Sequence, residues 1–317
     1  MADKKLITVF GATGSQGGGL ANAILDDKDS EFSVRAVTRN PSSDAGKALA
    51  EKGAEVVKGD IDDFDSIKEV LKDAYGAYFV TFFWDHFSPD KEKEQAKNLA
   101  KASAEEGLRH VIWSSLEDTR MWVALDDDQI PTLQGKYKVP HFDAKGESNQ
   151  YFIANSVPVT FLHASFYWDN MIHFGLGPKR GEDGKLAISF PMGDKKMAGI
   201  SADDIGKCAY GIFKKGNSMI AKTVGVAGEH ISCADMAKAL GDVLGEPVAY
   251  NEMTPGQFRG IGFPGSDDLG NMFQFYRDFE EACNSTRDVT RSKELNPELK
   301  SFRKWLDVNA SRIPLDG

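Results

Sequence analysis

Three glycines near the start of the chain have the spacing of a phosphate-binding turn. Gly11, Gly14 and Gly17 follow an apolar run at residues 6–10 and precede a segment of helical periodicity at residues 20–25. In such a turn the first glycine permits the tight bend, the second lets the backbone approach a pyrophosphate, and the third allows close packing of helix on strand. The N–H groups and the positive dipole end of the following helix then face the phosphates. The spacing predicts a dinucleotide site, and a glycine-rich turn without a ligand is the weaker alternative.

A cation stands where a dinucleotide site distinguishes the adenosine ribose. Arg39 lies 22 residues after Gly17, at the end of the second predicted strand. NAD-selective sites usually place an acidic residue there for the ribose 2′-hydroxyl, whereas a guanidinium fits a 2′-phosphate through paired hydrogen bonds. Arg39 therefore predicts a preference for NADP(H) over NAD(H), with a solvated surface arginine as the alternative.

A candidate proton-transfer site lies on the helix predicted at residues 140–154. Active short-chain dehydrogenases combine a serine with a tyrosine four residues before a lysine, because the lysine holds the ribose and lowers the pKa of the phenol. Here Lys145 has His141 at that position on the same helical face, and Ser115 ends the fifth predicted strand. We expect Lys145, His141 and Ser115 to be catalytic only if the chain is an enzyme. Otherwise His141 is a packed or solvent-facing side chain.

Aromatic side chains cluster after the fourth and sixth predicted strands, where they would either wall a pocket over the nicotinamide or belong to the core. They are Phe82, Phe83, Trp84, Phe87, Tyr167 and Trp168. The acidic run at residues 126–128 lacks the glycine and the closing glutamate of a calcium loop, so it is interpreted as solvated charge. The histidines do not have metal-ligand spacing with cysteines or acidic residues, and no metal site is predicted.

The elements that would position these side chains alternate between strand and helix. Strands are predicted at residues 6–10, 33–38, 54–57, 77–81, 110–113 and 157–162, and helices at residues 20–25, 44–52, 63–71, 90–106 and 140–154. This alternation with short connections predicts an α/β fold with a Rossmann-type, doubly wound parallel sheet. Residues 117–140 interrupt it with a long loop of the kind that is usually functional or mobile.

Beyond the sixth strand the alternation fades and the chain becomes richer in glycine and proline. We predict two domains. Residues 1–155 would form an NADP(H)-binding Rossmann domain, and residues 156–317 a smaller α+β substrate or partner domain. Part of the second domain is expected to return strands to the main sheet.

Composition limits the classes of partner. The 317 residues carry a formal net charge of −10, which disfavours direct binding to nucleic acid or to anionic membranes. The three cysteines form no CxxC pair, as expected of reduced thiols inside a cell. Neither a signal peptide nor an apolar run near the roughly 20 residues of a membrane span is recognised. We expect a cytoplasmic protein with access to the nucleus, and a homodimer is left open.

The sequence resembles the NmrA-like family over nearly its whole length. Matching strings include Val37–Pro41, Gly53–Val57, Lys145–Glu147 and Gly262–Gly265. The segment that begins at Gly262 is more specific than the glycine turn, because unrelated dinucleotide folds have no reason to share it. The resemblance implies a Rossmann fold with an NADP(H) cofactor.

The resemblance also implies which residues contact that cofactor. The glycine turn takes the pyrophosphate, Arg39 takes the 2′-phosphate, Asp60 flanks the adenine, and Lys145 reaches the nicotinamide half. The full set is Gly11, Thr13, Gly14, Ser15, Gln16, Gly17, Arg39, Asp60, Ile61, Thr81, Phe82, Phe83, Lys145, Tyr167, Trp168, Asp169 and Asn170. Ser43 and Glu94 stand where the family has lysines, which implies a weaker selectivity for the 2′-phosphate.

Two functions follow from the resemblance and from the missing tyrosine. The first is an NADP(H)-binding redox sensor or regulator with an incomplete dehydrogenase site, in which the cofactor favours the conformation that binds it better. Residues 117–140 and 167–184 are the segments expected to move, and a regulatory protein would be the partner. The alternative is an NADPH-dependent reductase of a small carbonyl, enone or quinone substrate that uses Lys145.

Overall fold

Strands and helices alternate along most of the chain. A computed structural model describes residues 4–315. Within that range the strands are β1 (Lys5–Val9), β2 (Phe32–Thr38), β3 (Glu55–Lys58), β4 (Gly76–Phe79), β5 (His110–Ser115), β6 (Val159–His163), β7 (Phe166–Tyr167), β8 (Lys179–Arg180), β9 (Leu186–Phe190), β10 (Lys196–Ile200), β11 (Thr223–Gly225), β12 (Glu229–Ser232) and β13 (Val248–Glu252). The helices are α1 (Ser15–Asp26), α2 (Asp44–Glu51), α3 (Phe64–Leu71), α4 (Pro89–Glu105), α5 (Pro140–Ala154), α6 (Asn170–His173), α7 (Ala202–Lys215), α8 (Cys233–Leu244), α9 (Pro255–Arg259), α10 (Ser266–Asp278), α11 (Glu280–Thr286), α12 (Val289–Leu295) and α13 (Phe302–Asn309). None of the helices in residues 4–315 is long and apolar enough to span a bilayer.

Seven strands form the central sheet in the order β11-β6-β5-β4-β1-β2-β3. Every neighbouring pair in this sheet is parallel. The strand order reverses between β1 and β4, which pair through Ile7 and Gly76. In open α/β sheets this reversal opens a crevice at the carboxyl ends of the strands, where ligands bind. The predicted doubly wound parallel sheet is confirmed.

Helices cover both faces of the central sheet. Successive residues of a strand point to opposite faces, so one strand contributes side chains to two core clusters. Ile112 of β5 packs into one core cluster with Leu20 of α1 and Ile205 of α7. Its neighbour Trp113 packs into a second cluster with Leu99 of α4. Strands buried on both faces read as continuous apolar runs, which explains why the strand signals in the sequence were strong.

The second half of the chain adds two three-stranded sheets, β12-β10-β7 and β13-β9-β8. Together with α8, α10 and α13 they enclose a separate hydrophobic cluster that includes Phe166, Phe190, Phe273 and Trp305. Strands β6 and β11 also come from this half, and they lie in the central sheet. The domain boundary at residue 155 remains a prediction.

Residues 117–140 form a long connection that is anchored to the rest of the protein. Lys138 is fully buried, and its Nζ donates to the carbonyl oxygens of Asp127 at 2.6 Å and Ile130 at 2.7 Å. The Asp143 carboxylate accepts from the backbone N–H groups of Thr119 and Lys138, each at 2.8 Å. The sequence correctly predicted a loop here, and these buried contacts hold both ends of it in place.

Candidate cofactor and substrate site

The glycine turn has the backbone geometry that a pyrophosphate site requires. Gly11 has a φ of +65°, a left-handed conformation that favours glycine. A Cβ atom on Gly17 would clash with the backbone carbonyl of Gly11, so only glycine fits there. Helix α1 begins at Ser15, after Gly14, and no side chain caps its first turn. The free N–H groups of this turn match the demands of a bound phosphate.

Gln16 connects the glycine turn to the ends of β4, β5 and β7. Its side-chain amide donates to the Tyr167 hydroxyl, and its carbonyl oxygen accepts from Tyr78 and from Ser114, the latter at 3.0 Å. Burial raises the pKa of both Tyr78 and Tyr167 above the ordinary value, so both phenols stay protonated. The network fixes the position of Tyr167 relative to the turn that would bind the cofactor.

Arg39 directly follows β2 and is 83% exposed. Its Nη1 lies 3.3 Å from Oδ2 of Asp85, which is 54% exposed. A guanidinium this accessible can exchange an exposed carboxylate for a phosphate, since such surface ion pairs are weak. Asp60 and Ile61 lie just beyond β3: Asp60 is exposed and Ile61 is half-buried against the core.

Lys145 projects from α5 into a buried polar site. Its Nζ lies 2.6 Å from Oγ1 of Thr81 and 2.6 Å from Oε1 of Glu92. Burial by itself raises the pKa of Glu92, but the Lys145 ammonium and hydrogen bonds from His86, Lys145 and Thr81 outweigh it and lower the pKa to about 2. Glu92 is therefore ionised, and its charge is matched by that of Lys145.

His141 lies one helical turn before Lys145 and is held by a carboxylate from α10. Its Nδ1 lies 2.6 Å from Oδ1 of Asp268, and its backbone N–H donates to Oδ2 of the same carboxylate at 3.1 Å. The imidazole packs between aromatic rings, with its centroid 4.8 Å from that of Trp84 and 5.9 Å from that of Phe83. His141 is therefore a packed side chain, as one of the two alternatives expected, and it also contacts the Asp268 carboxylate.

These groups surround an apolar cavity of about 290 Å³. Gln16, Thr81, Ser114, Ser115 and Lys145 line the side nearest the glycine turn and the strand ends. Most of the other lining residues are aromatic or aliphatic and come from both halves of the chain; they include Phe82, Phe83, Trp84, Phe87, Phe142, Phe166, Tyr167, Phe174, Leu176, Phe263, Pro264, Leu269, Met272 and Tyr276. Water has little polar surface to hold it there, so the cavity suits an apolar ligand.

Comparison with known proteins decides the family. The family described as "NmrA-like family" matches residues 3–306. The chain belongs to the NmrA-like family. It is 28% identical over 257 residues to the NmrA-like family domain-containing oxidoreductase malD of Malbranchea aurantiaca, which covers 78% of this chain and 75% of that protein. It is 30% identical over 228 residues to the oxidoreductase lnaB of Aspergillus flavus, covering 67% of this chain and 64% of that protein.

Two solved structures show the same fold as this NmrA-like chain. NmrA, a negative transcriptional regulator solved in complex with NADP, has a TM-score of 0.77 at 19% identity and covers 96% of this chain and 94% of its own. The Citrobacter sp. triphenylmethane reductase, solved with NADP(H), has a TM-score of 0.72 at 17% identity and covers 95% and 98%. One neighbour is thus a regulator and the other a reductase, so the fold does not choose between these roles.

Seven of the seventeen predicted cofactor residues line the cavity of the NmrA-like chain: Gln16, Thr81, Phe82, Phe83, Lys145, Tyr167 and Asn170. Tyr167 and Asn170 line the cavity, but Trp168 does not. The Trp168 indole is fully buried, 5.4 Å from the Phe302 ring and 6.3 Å from the Trp305 ring. Trp168 therefore belongs to the core, which is the second of the two alternatives left open for these aromatic side chains. Asp169 accepts from the backbone N–H of Ala202 at 2.8 Å, at the start of α7.

Three carboxylates that complete the site were not recognised in the sequence. Asp85 pairs with Arg39, Glu92 with Lys145, and Asp268 with His141. Asp268 lies inside the segment whose sequence resembled the family most specifically, and this is the one signal that could have drawn attention to it. Ser115 lines the cavity as predicted, and its hydroxyl donates to Oδ1 of Asn149 at 2.7 Å.

Proposed function

We propose that this NmrA-like protein is an NADP(H)-dependent reductase of neutral, apolar carbonyl compounds such as enones or quinones. The observation that carries the proposal is the apolar cavity at the carboxyl ends of the strands, which contains Lys145 and His141. A reductase needs an apolar space for its substrate beside proton-bearing side chains, whereas binding of the cofactor alone does not require one. The proposal therefore favours the reductase over the sensor hypothesis that the missing tyrosine suggested.

The cofactor assignment is supported by the residues of the crevice. The backbone of residues 11–17 would hold the pyrophosphate, Arg39 the 2′-phosphate, and Lys145 with Tyr167 the nicotinamide ribose. Bound NADPH would supply a hydride to the substrate. The NADP named for NmrA and for the triphenylmethane reductase, and the oxidoreductase names of the fungal relatives, agree with this assignment.

The charge balance of the cavity supports a neutral substrate. The cationic Lys145 is paired with Glu92, and His141 is paired with Asp268. Lys145 and His141 are the basic side chains among the described residues that line the cavity, and each is held by a carboxylate. Neither is therefore free to bind a carboxylate or phosphate on a substrate. The rings around the cavity instead favour a flat apolar body, which gains by leaving water.

The Lys145 ammonium is held in one position, so it is suited to orienting the cofactor or the substrate. Its ammonium is fixed by Thr81 and Glu92 at 2.6 Å each, and breaking these contacts would leave a buried carboxylate unpaired at a cost of several kcal/mol, about 3–5. The third N–H group of the ammonium faces the Thr81 carbonyl oxygen at 3.3 Å. A ribose hydroxyl or the substrate oxygen would replace this long hydrogen bond. Exclusion of water by the surrounding rings strengthens the hydrogen bond to the new acceptor.

The test is NADPH consumption against a panel of enones, quinones and their carboxylated analogues. We expect turnover of the neutral compounds, with kcat/KM at least about 10-fold lower for the carboxylated ones. Lys145→Ala should lower kcat/KM by about 100-fold, whereas Lys97→Ala, an exposed lysine on α4, should not change it. Tight NADPH binding with no turnover on any neutral compound would contradict the proposal.

A sensor remains the second candidate because His141 replaces the catalytic tyrosine. In that case NADPH would act by stabilising one conformation or one complex with a regulatory protein. Limited proteolysis with and without NADPH, in the absence of substrate, tests it. Protection of residues 117–140 or 167–184 by NADPH would support the sensor, and identical cleavage patterns would count against it.

A further inference from the structure

Asp268 makes two contacts with one residue of a different helix. One carboxylate oxygen accepts the backbone N–H of His141 at 3.1 Å, and the other lies 2.6 Å from the ring Nδ1. The His141 and Asp268 side chains are 8% and 6% exposed. Helix α5 begins at Pro140 without a side-chain cap of its own, so the carboxylate also takes an N–H of its first turn. Asp268 thus holds His141 both by its backbone N–H and by the Nδ1 edge of its ring.

The contact determines which ring nitrogen can reach a ligand. A carboxylate accepts hydrogen bonds, so Nδ1 carries a proton and donates it to Asp268. Nε2, on the other side of the ring, is then the nitrogen left for chemistry, and His141 lines the cavity. Trp84, Phe83 and Phe142 pack against the ring in tilted or edge-on orientations, with centroids at 4.8, 5.9 and 4.7 Å. These rings hold the imidazole at one angle.

We propose that His141 is the proton donor to the substrate oxygen and that Asp268 is the positioning residue that makes it one. This rests on the proposed reductase function. The substrate carbonyl carbon takes up a hydride, with its electron pair, and the carbonyl oxygen takes up the Nε2 proton of cationic His141. The C=O group becomes CH–OH, NADPH becomes NADP⁺, and His141 is left neutral with its Nδ1–H still donated to Asp268. Solvent returns the proton to Nε2 after product release.

Other titratable groups near the ring are engaged elsewhere. Lys145, one turn along α5, is held by Glu92. His86, whose ring centroid is 5.9 Å from that of Phe83, lies 3.4 Å from the same Glu92. Asp85, on the turn that carries Trp84, pairs with Arg39. Tyr167 across the cavity is bound by the Gln16 amide, and its pKa is raised by burial. Asp268 is the carboxylate in direct contact with His141.

The substitution Asp268→Asn separates proton transfer from structure. The carboxamide oxygen can still accept the His141 backbone N–H, and its NH₂ group can donate to Nδ1. The ring would keep its place, but Nδ1 would become an acceptor and the proton of the neutral ring would move to Nε2. That nitrogen can hydrogen-bond the substrate yet cannot release its proton without forming an imidazolate. Binding is expected to survive while proton transfer fails.

The experiment compares full-length wild type with Asp268→Asn, His141→Gln, the double variant, and Asp267→Asn as the control. Asp267 is the adjacent, exposed residue of the same helix turn. We expect kcat to fall by about 100-fold or more in Asp268→Asn and His141→Gln, with no further loss in the double variant, because the two residues act as one unit. KM, NADPH affinity and the Asp267→Asn rate should stay within about 2-fold of wild type. The decline of kcat with rising pH in wild type should be absent in His141→Gln.

A second readout needs neither cofactor nor substrate. Nitrogen-15 NMR of histidine-labelled protein should show neutral His141 protonated at Nδ1 in wild type and at Nε2 in Asp268→Asn. The inference is overturned if both proteins show the same tautomer, if the losses in kcat multiply in the double variant, or if Tyr167→Phe rather than His141→Gln removes the pH dependence. Absence of any turnover by wild type would instead reject the reductase function and leave the tautomer result to stand by itself.

Discussion

Arg39 and Asp85 form an ion pair between two segments that are 46 residues apart, with Nη1 3.3 Å from Oδ2. Asp85 ends the 3-10 turn Phe83–Asp85, which also brings Phe83 and Trp84 to the cavity. The cation expected to bind a 2′-phosphate is therefore already paired with an anion from the turn that carries Phe83 and Trp84. A phosphate that approaches Arg39 meets the negative charge of Asp85, whereas the neutral 2′-hydroxyl of NADH does not.

Asp85 should consequently reduce the preference for NADP(H) over NAD(H). We expect Asp85→Asn to raise NADPH affinity by about 1.5- to 5-fold, corresponding to the 0.2–1 kcal/mol of an exposed ion pair, with little effect on NADH. Arg39→Ala should weaken NADPH binding by about 10-fold, the low end for a charge-assisted hydrogen bond, because Ser43 and Glu94 add no supporting cation. Fluorescence titration of each protein with both cofactors measures these affinities.

The control for net charge is Asp126→Asn, which removes the same charge from an exposed loop and should leave both affinities unchanged. The NADPH preference of wild type should also shrink as salt concentration rises, because exposed charges are screened. If Arg39→Ala weakened NADPH and NADH equally, Arg39 would have to stack on the adenine rather than contact the phosphate.

Glu92 should make the folded protein sensitive to acid over a defined range. Burial raises its pKa, but the charge of Lys145 at 2.6 Å and the hydrogen bonds from His86, Lys145 and Thr81 together outweigh burial and lower the pKa from 4.5 to about 2. A carboxylate whose pKa is lower in the folded state stabilises the fold above its ordinary pKa, and this stability is lost as the pH falls through the folded value. The free energy of unfolding of wild type should thus decrease between pH 4.5 and about 2 more steeply than that of Glu92→Gln, as measured by urea denaturation at each pH.

At neutral pH, Glu92→Gln should lower the free energy of unfolding by about 3 kcal/mol, because it leaves the buried Lys145 ammonium without a countercharge. The double variant Glu92→Gln with Lys145→Met should recover much of the loss, since neither buried charge remains. Glu94→Gln, an exposed neighbour on α4, is the matched control and should be neutral. If Glu92→Gln alone had the same free energy of unfolding as wild type, the buried Lys145 ammonium would not need Glu92 as its countercharge.

The three cysteines should be chemically inert in the folded state. Cys208, Cys233 and Cys283 are buried and free, and burial raises the pKa of each thiol, to about 12 for Cys233 and Cys283. The reactive thiolate is therefore scarce near neutral pH. We expect iodoacetamide to label no cysteine of the folded protein within an hour-scale incubation and all three after unfolding in urea, as measured by intact mass. Rapid labelling of the native protein would reveal an opening motion that exposes one of these cores.

Local patterns in the sequence were sufficient for the central sheet, because its strands are buried on both faces and each helix follows its strand closely. Element ends were less predictable. The fourth strand was expected to reach residue 81 but ends at Phe79, and Thr81 beyond it holds Lys145. Helix α1 begins at Ser15 rather than near residue 20, because close packing against α7 overrides the low helix propensity of three successive glycines.

The chemical residues of the site were identified from the sequence, but their partners were not. Lys145 and His141 share a helix turn, so their relationship is local and visible in the spacing. Glu92 and Asp268 come from other segments, and a single sequence does not show which long-range pairs meet. Residue type also fails to specify direction: Tyr167 and its neighbour Trp168 are both aromatic, yet only Tyr167 faces the cavity.

Helices α1 and α7 cross in close contact at Gly206, which lies far along the chain from the glycine turn. A Cβ atom on Gly206 would clash with the backbone carbonyl of Gln16 and the backbone nitrogen of Leu20. Backbone atoms cannot rotate away, so Gly206→Ala must push α1, and with it the turn that would bind the pyrophosphate. We expect the free energy of unfolding to fall by about 1–3 kcal/mol and NADPH affinity to fall by about 10-fold, equivalent to 1.4 kcal/mol. Gly256→Ala is the matched control, because its added Cβ would meet only Thr254 Oγ1 at 3.9 Å, an ordinary contact. If Gly206→Ala bound NADPH as tightly as wild type, the glycine turn would have to tolerate a displaced α1. The phosphates would then be bound mainly by groups outside the glycine turn.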